Sequence, residues 1–541
     1  MTCISRNAGC TYLRLEEADP SWENSHADFT VQWLPWHDAL HLDQMYNGVV
    51  NFLRPSVTDS SVESHSLAHD AKAQVSLRFL EKSTRDQGLT ASLDCASEDE
   101  RSQVAGYTSR QSHEPSDLEI LQFKSKEILL LIAEICCIKP RNSAVDLSWS
   151  SSVERDCQRF FSAGNIRLFL EVYWAIWSPN VPLLHKPTFD VAKAKPVLVA
   201  AMVTIGASMS PAQSDRSSAR QFYNAVEETV FYDDDFCANE DSSMFPSKAK
   251  VQSLQAAYVV MLVQNWEGSH SSKRRIRRFR YSTVIAIARN VGLKHTRHPN
   301  YTDLSFDWHS FVLREELIRV FLWIFLLDTA FVIFNNVPPR MAIKEMQMDF
   351  AVREVCFQAC SAEECLHLIM ERVQEQRRLS ATCEMMCKGL LHAEEAKAMS
   401  QLGSVNLFVI TSAIHSMIFQ VQQSFSSQLH LQGIYAALAN WHLLWQQHLD
   451  LILQKEPLSS NTLASDIHDL WKREGFSRHA SEYWMLASML VQRLDSTREW
   501  HASDVQSKVE EDAADTFLEK YDETSMRQIN DLITDFQRTI I

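Results

Sequence analysis

An all-α protein, one large irregular helical domain behind a flexible N-terminal region, is the fold class this sequence predicts, and three observations carry it. Only 12 Gly and 15 Pro interrupt 541 residues, too few for a turn-rich sheet protein. Leu, Ala, Gln, Glu, Met and Ser fill long uninterrupted stretches, which suit helices. Apolar residues make up 45% of the chain, enough for one large core or two ordinary ones.

The elements follow in chain order. Residues 28–53 alternate aromatic and aliphatic side chains with acids; this is either a partner-binding segment or, the favoured reading, a piece docked on the main domain. Residues 56–115 hold one Phe, one Tyr and no Trp among Ser, Asp, Glu and Gln, a composition that predicts a flexible linker. The chain thus divides into a largely flexible 1–115, a helical 116–400 and a helical C-terminal part, 401–541, packed on it. A helix opens at Ser116, where Glu119 completes a capping box, and runs to residue 138 because Pro140 forbids continuation. The next helix covers 153–177. SPNVPLLHKPTF, with three prolines, is extended. Further helices are expected over 195–209, 250–266, 273–291, 308–334, 361–389, 402–425, 431–453, 481–494 and 526–540. No fixed-period repeat is visible.

Charge and targeting signals narrow the function. Asp+Glu outnumber Lys+Arg by 68 to 52, a net charge of -16, so the chain as a whole has no pull toward a phosphate backbone. The opening MTCISRNAGCTYLRLEE has no basic n-region followed by an apolar run. The most apolar run, residues 320–334, contains Asp328 and is too short for a bilayer of about 30 Å; a buried core helix is expected and no membrane partner. Twelve cysteines without a secretory signal read as reduced thiols.

One local exception stands out against the acidic balance. KRRIRRFR supplies Lys273, Arg274, Arg275, Arg277, Arg278 and Arg280. Ile276, Phe279, Thr283, Val284, Ile287 and Val291 follow helical spacing, with Gly292 as the C-cap. The cations therefore start an amphipathic helix, at the end where its dipole disfavours them. A solvated or internally paired face is favoured over a nuclear-import signal or a DNA contact, with Asp233 to Asp235 or Glu240 as the neutralising acids.

Read in order, FFSAGNIRLFLEVYWAIWSPNVPLLHKPTFD, PVLVAAMVTIGASMS, VQSLQAAYVVMLVQNWEGS, RRIRRFRYSTVIAIARNVGLKH and FDWHSFVLREELIRVFLWIFLLDTAFVIFNNVPPRMAIKEMQMDF resemble the regulatory middle-homology region of fungal transcription factors. GFSRHASEYWMLASMLVQRL and YDETSMRQINDLITDF are similar to the C-terminal part of the version usually attached to Cys2His2 zinc fingers. The resemblance covers nearly everything beyond residue 115. It implies a nuclear regulator of RNA polymerase II transcription, in a setting that for the family is commonly a metabolic or secondary-metabolite gene cluster. Implied partners are transcription-machinery proteins or a related transcription factor, with promoter DNA reached indirectly; a homo-oligomer is compatible with it. Pro182, His185, Pro187, Thr188, Phe189, Asp328, Pro338 and Pro339 fall on the family's motifs, and chemistry gives each a structural part. Pro182 and Pro187 hold an extended connection anchored by Leu183, Leu184 and Phe189, and His185 sits within it. NNVPPR ends a long helix, while Asp328 must pair with an Arg or a backbone donor.

Metal-binding and catalytic patterns find little footing. A Zn2Cys6 cluster needs Cys-x2-Cys-x6-Cys, whereas only Cys3-x6-Cys10 is present, and no Cys2His2 finger spacing occurs. Cys356, Cys360, Cys365, Cys383 and Cys387, with His367 and His392, are spaced for helix faces rather than a zinc knuckle. No cofactor is visible, and zinc is expected only if a finger module lies upstream. The chain is therefore a regulator without its own DNA reader or a shortened form of a finger protein. A helical Mg2+-dependent terpene cyclase is the outside reading. In DDDF (233–236) the required later acid is Cys237, and NDLIT (530–534) is followed by Arg538 where the motif needs Glu. Nucleotide-binding, serine-hydrolase and zincin motifs are missing, so the chain is not expected to be an enzyme.

Overall fold

The computed structural model describes residues 77–501, short internal stretches such as 239–244, 372–376 and 456–466 aside, together with 529 and 532–534. The segment 28–53, the Cys3/Cys10 pair, Glu240 and most of 526–540, including Asn530, Asp531 and Arg538, lie outside the described residues. The described residues are helical apart from loops and one isolated bridge, Asp349 to Arg378, as the sparse Gly and Pro predict.

Pro196–Met209 is the centre of the first half. Proline at its first turn costs no hydrogen bond, and every residue from Val197 to Met209 is buried, so it has no polar face to give to solvent. Ala163–Val172, Gln213–Phe231 and Lys248–Trp266 surround it. Its approach to the first of these depends on Gly206, where an added Cβ would lie 2.0 Å from the Phe169 carbonyl oxygen. Gly206→Val is expected to cost about 1–3 kcal/mol or more, read as a lower urea midpoint; an unchanged midpoint would mean the two backbones are free to separate.

Trp308–Asn335 joins the halves. Asp307 caps it by accepting from Ser310 N at 3.0 Å, and Asn336 ends it in the left-handed region at φ 50°, as NNVPPR predicts. This helix and Ser404–Gln422 are long and apolar enough to cross a membrane, yet 89% of the apolar window of each is buried inside the protein. Burial, not shortness, marks them as core. Ser404–Gln422 packs on Trp308–Asn335 and carries Gln428–Lys455 and Ala480–His501. Two buried indoles fix that layer: Trp441 donates to Leu407 O at 2.8 Å and Trp484 to Leu438 O at 2.9 Å.

Several boundaries differ from expectation. The 153–177 helix is two, Ser151–Phe160 and Ala163–Val172, followed by a π-helical turn Tyr173–Trp177; Gly164 and Asn165 weaken helix at the break. The 361–389 helix is also two, Ala362–Met370 and Leu379–Lys388. The helix at 116 starts at Pro115, one residue before the expected cap. Gln213–Phe231 is a helix the sequence reading did not anticipate.

The largest correction concerns the linker. Residues 77–110, assigned by composition to a flexible segment, form Arg78–Arg85, Leu89–Ser92 and Glu98–Arg110. This arm docks on the C-terminal helices because its few apolar residues sit where they count: Leu77, Leu80, Leu89 and Cys95 are buried, and Phe79 stacks on His479 at 4.0 Å. Glu482 accepts from Phe79 N and Leu80 N at 3.2 and 2.9 Å, satisfying donors at the start of Arg78–Arg85. Asp94 pairs with Arg478 and with His479 at 2.9 Å. Burial raises the Glu482 carboxyl to about 7, against the two backbone donors. Its native form holds a proton that the unfolded chain releases near 4.5, so its contribution is complete below 4.5 and is lost as pH rises through about 7. Glu482→Gln is expected to flatten the loss of thermal stability over that window; an unchanged slope would place the titration in Glu316 and Asp328, which burial also raises, to about 7 and about 6.

Candidate functional site

The basic cluster is a helix whose two sides do different things. Ser269 caps His270–Arg275; a π-helical turn, Ile276–Arg280, follows, then Tyr281–Val291, which ends on Gly292 at φ 125°. Residues five apart on an α-helix diverge by about 140°, whereas an i→i+5 turn places them over one another. That turn brings Arg275 and Arg280 to one carboxylate. Arg275 grips Glu227 with two bonds of 2.7 and 2.6 Å, and Arg280 reaches Glu227 at 2.9 Å and Glu228 at 2.5 Å. Gln264 adds a bond to Glu227 at 2.8 Å, and the Arg280 guanidinium lies over the Phe231 ring, 4.4 Å from its centroid. Both glutamates are fully buried on Gln213–Phe231.

Internal pairing is therefore the fate of Arg275 and Arg280, but the acids are not those expected. Asp233 and Asp235 pair instead with Lys195, and Asp233 also caps Phe236 N. The acids were misidentified because Glu227 and Glu228 lie on Gln213–Phe231, a helix not anticipated from the sequence. Arg274 and Arg278 are exposed beside Phe279, while Lys273 and Arg277 are half-buried. These last two border a cavity of about 460 Å³. Arg277 donates to Asn265 at 2.8 Å on the same wall.

The motif residues make local contacts of their own, away from the lining of that cavity. His185 is buried, gives its backbone N–H to Glu316 at 2.9 Å and shares a 2.9 Å bond between Nδ1 and the Thr188 hydroxyl. Burial lowers its pKa to about 4, so the ring is neutral. Pro187 sits at the second position of the 3-10 turn Lys186–Thr188, and Phe189 packs edge-on against Trp174 at 5.3 Å. The Pro182 carbonyl meets Arg319 at 3.5 Å. Arg319, fully buried, also donates to Glu315 at 2.7 Å, Glu354 at 2.8 Å and Val352 O at 3.0 Å. Glu315 in turn binds His298 at 2.9 Å and Val352 N at 3.0 Å. Asp328 accepts from Arg340 N and Met341 N at 2.9 and 2.8 Å, the backbone pairing expected of it. Pro338 and Pro339 have no N–H, so these are the first donors after them.

The cysteines between 356 and 387 differ in burial: Cys356, Cys365 and Cys383 are buried, Cys387 is half-buried and Cys360 is exposed. Burial raises the Cys356 and Cys365 thiols to about 11 and about 12. Among the described residues no group of three or more His, Cys, Asp or Glu is arranged to hold a metal ion.

Residues 170–443 match the fungal specific transcription factor domain. The chain belongs to this family. Transcription factor verF of Penicillium polonicum is 42% identical over 516 residues, spanning 85% of this chain and 70% of that protein. Zinc finger protein zas1 of Schizosaccharomyces pombe is 21% identical over 202 residues, 36% of this chain and 21% of zas1. Zinc finger protein klf1 of the same yeast is 21% identical over 254 residues, 46% of this chain and 31% of klf1. No solved structure matches the chain. Membership makes this fungal specific transcription factor domain protein a nuclear regulator of transcription and not an enzyme, acting with the transcription machinery. The arm and Phe476 and Tyr483, which help to line the cavity, lie outside the matched residues 170–443. Tyr258, Asn265 and Trp323 on the cavity wall went unnoticed in the sequence because their meeting depends on which helices converge there.

Proposed function

We propose that this chain regulates RNA polymerase II transcription through protein partners, reaching promoter DNA by way of a related factor that carries zinc fingers. The observation that supports this reading is the inward turn of the basic helix. With Arg275 and Arg280 committed to Glu227 and Glu228, two of its six cations are neutralised internally, in a chain of net charge -16. Purified protein is expected to bind promoter fragments weakly and with a shallow salt dependence, since few phosphates are neutralised; tight binding with a steep salt slope would refute the proposal.

The same geometry supports reading the cluster as scaffold rather than as an import address. A fluorescent fusion carrying Arg274→Ala and Arg278→Ala is expected to stay nuclear. Loss of nuclear signal at unchanged thermal stability would instead assign the exposed arginines to import.

A second reading, a finger-bearing protein of which these residues are the regulatory part, is favoured by the comparisons: the chain spans 70% of verF, and two other relatives are named as zinc finger proteins. Sequencing the 5′ end of the transcript decides it, because an in-frame Cys2His2 spacing would add zinc and direct DNA reading.

A further inference from the structure

The cavity beside the basic helix is placed and lined as a binding site. It lies where Lys248–Trp266, Trp308–Asn335, Ser404–Gln422, the arm and the C-terminal helix Ala480–His501 converge. About 460 Å³ is within the range of small-molecule sites. Its deep wall is apolar and aromatic, with Tyr258, Leu262, Trp323 and Leu327 buried. The basic side chains that line it are His270, Lys273 and Arg277, and no Asp or Glu is found among the described lining residues.

Two groups there lack what such a site normally supplies. Trp323 is 3% exposed, yet its indole Nε1 has no hydrogen-bond acceptor among the described residues, a costly omission for a buried donor. Lys273, on the same helix as the paired Arg275, makes no ion pair among the described residues. Burial and the neighbouring Arg277 lower its pKa, with Glu267 working the other way. Glu267 itself is engaged by Leu89 N at 2.8 Å and Arg220 at 3.3 Å.

We propose that this cavity is an effector site for a small organic anion, its apolar body against Trp323, Leu327 and Tyr258 and its anionic group at Lys273 and Arg277. An acceptor atom on the same ligand would take the Trp323 proton donor. Because the arm supplies Ser83, Thr84 and Leu93 to the lining while Phe476 and Tyr483 come from the C-terminal part, occupancy favours the state in which all three pieces are docked. The word effector rests on the transcriptional role; binding itself does not, and it is tested apart from any promoter.

The test uses the purified full chain and two fluorescent probes of matched shape, anilinonaphthalene sulfonate and its uncharged counterpart N-phenylnaphthylamine. Saturable binding at one site is expected, with the sulfonate tighter by about tenfold, the value of one charged hydrogen bond. Lys273→Gln with Arg277→Gln should erase that preference and leave the neutral probe unchanged, whereas Ala330→Trp, which fills the cavity, should abolish both. Phe123→Ser with Leu130→Ser, which removes exposed apolar side chains from Pro115–Cys137, should alter neither. If Ala330→Trp fails to fold, as judged by circular dichroism, the charge variant decides. Equal affinity for the two probes, sulfonate binding untouched by the charge variant, or no saturable site overturns the proposal. None of these outcomes bears on promoter occupancy, which is measured separately.

Discussion

Glu227→Leu destabilises the protein by about 3–5 kcal/mol, the usual cost of removing one partner from a buried ion pair, and the urea midpoint drops accordingly. The carboxylate is fully buried and receives Arg275 through two bonds, Arg280 through one and Gln264 through another. Its loss leaves one guanidinium, Arg275, almost entirely buried and without a counter-charge, while Arg280 keeps Glu228. Adding Arg275→Leu should return part of the loss, because two apolar side chains pack where an unpaired charge cannot. Additive losses in the double variant would show that the pair is not what holds the basic helix to Gln213–Phe231.

Arg319→Leu is expected to cost a similar 3–5 kcal/mol or so. This side chain is fully buried and ties three separated pieces together: Glu315 on its own helix, the 352–354 connection and the Pro182 carbonyl. It also stacks on Phe357 at 3.8 Å. Burial works against its charge, and Glu354 with Glu315 more than restores it, so its pKa stands above the ordinary guanidinium value. Arg319→Lys keeps the charge but loses the planar fork and the stack, and should recover only part of the stability. Full recovery in the lysine variant, measured by urea unfolding, would reduce the role of Arg319 to charge alone.

What was legible in the sequence is what repeats locally. Trp308–Asn335 and Lys248–Trp266 emerged nearly to their ends because caps and breakers bracket them: Asp307 and Asn336 for one, Ser247 for the other. Asp328 was read correctly because one charge in an apolar run leaves few solutions. Gln213–Phe231 was missed because its opening QSDRSS is polar all round, although Phe222, Tyr223, Val226 and Val230 mark a buried stripe further along. The arm was misread for a related reason, since averaging over residues 56–115 hid Leu77, Phe79 and Leu80. The partners of the basic helix and the walls of the cavity were out of reach in principle. Glu227 lies 48 residues from Arg275, and the cavity draws its lining from Ser83 to Tyr483.

The central claim is a regulator that reaches promoters through another protein. Chromatin immunoprecipitation of the tagged chain, in otherwise matched strains with and without the finger-bearing relative, tests it most directly. Promoter occupancy that collapses when the relative is deleted is the predicted result; occupancy that persists undiminished without it would contradict the account.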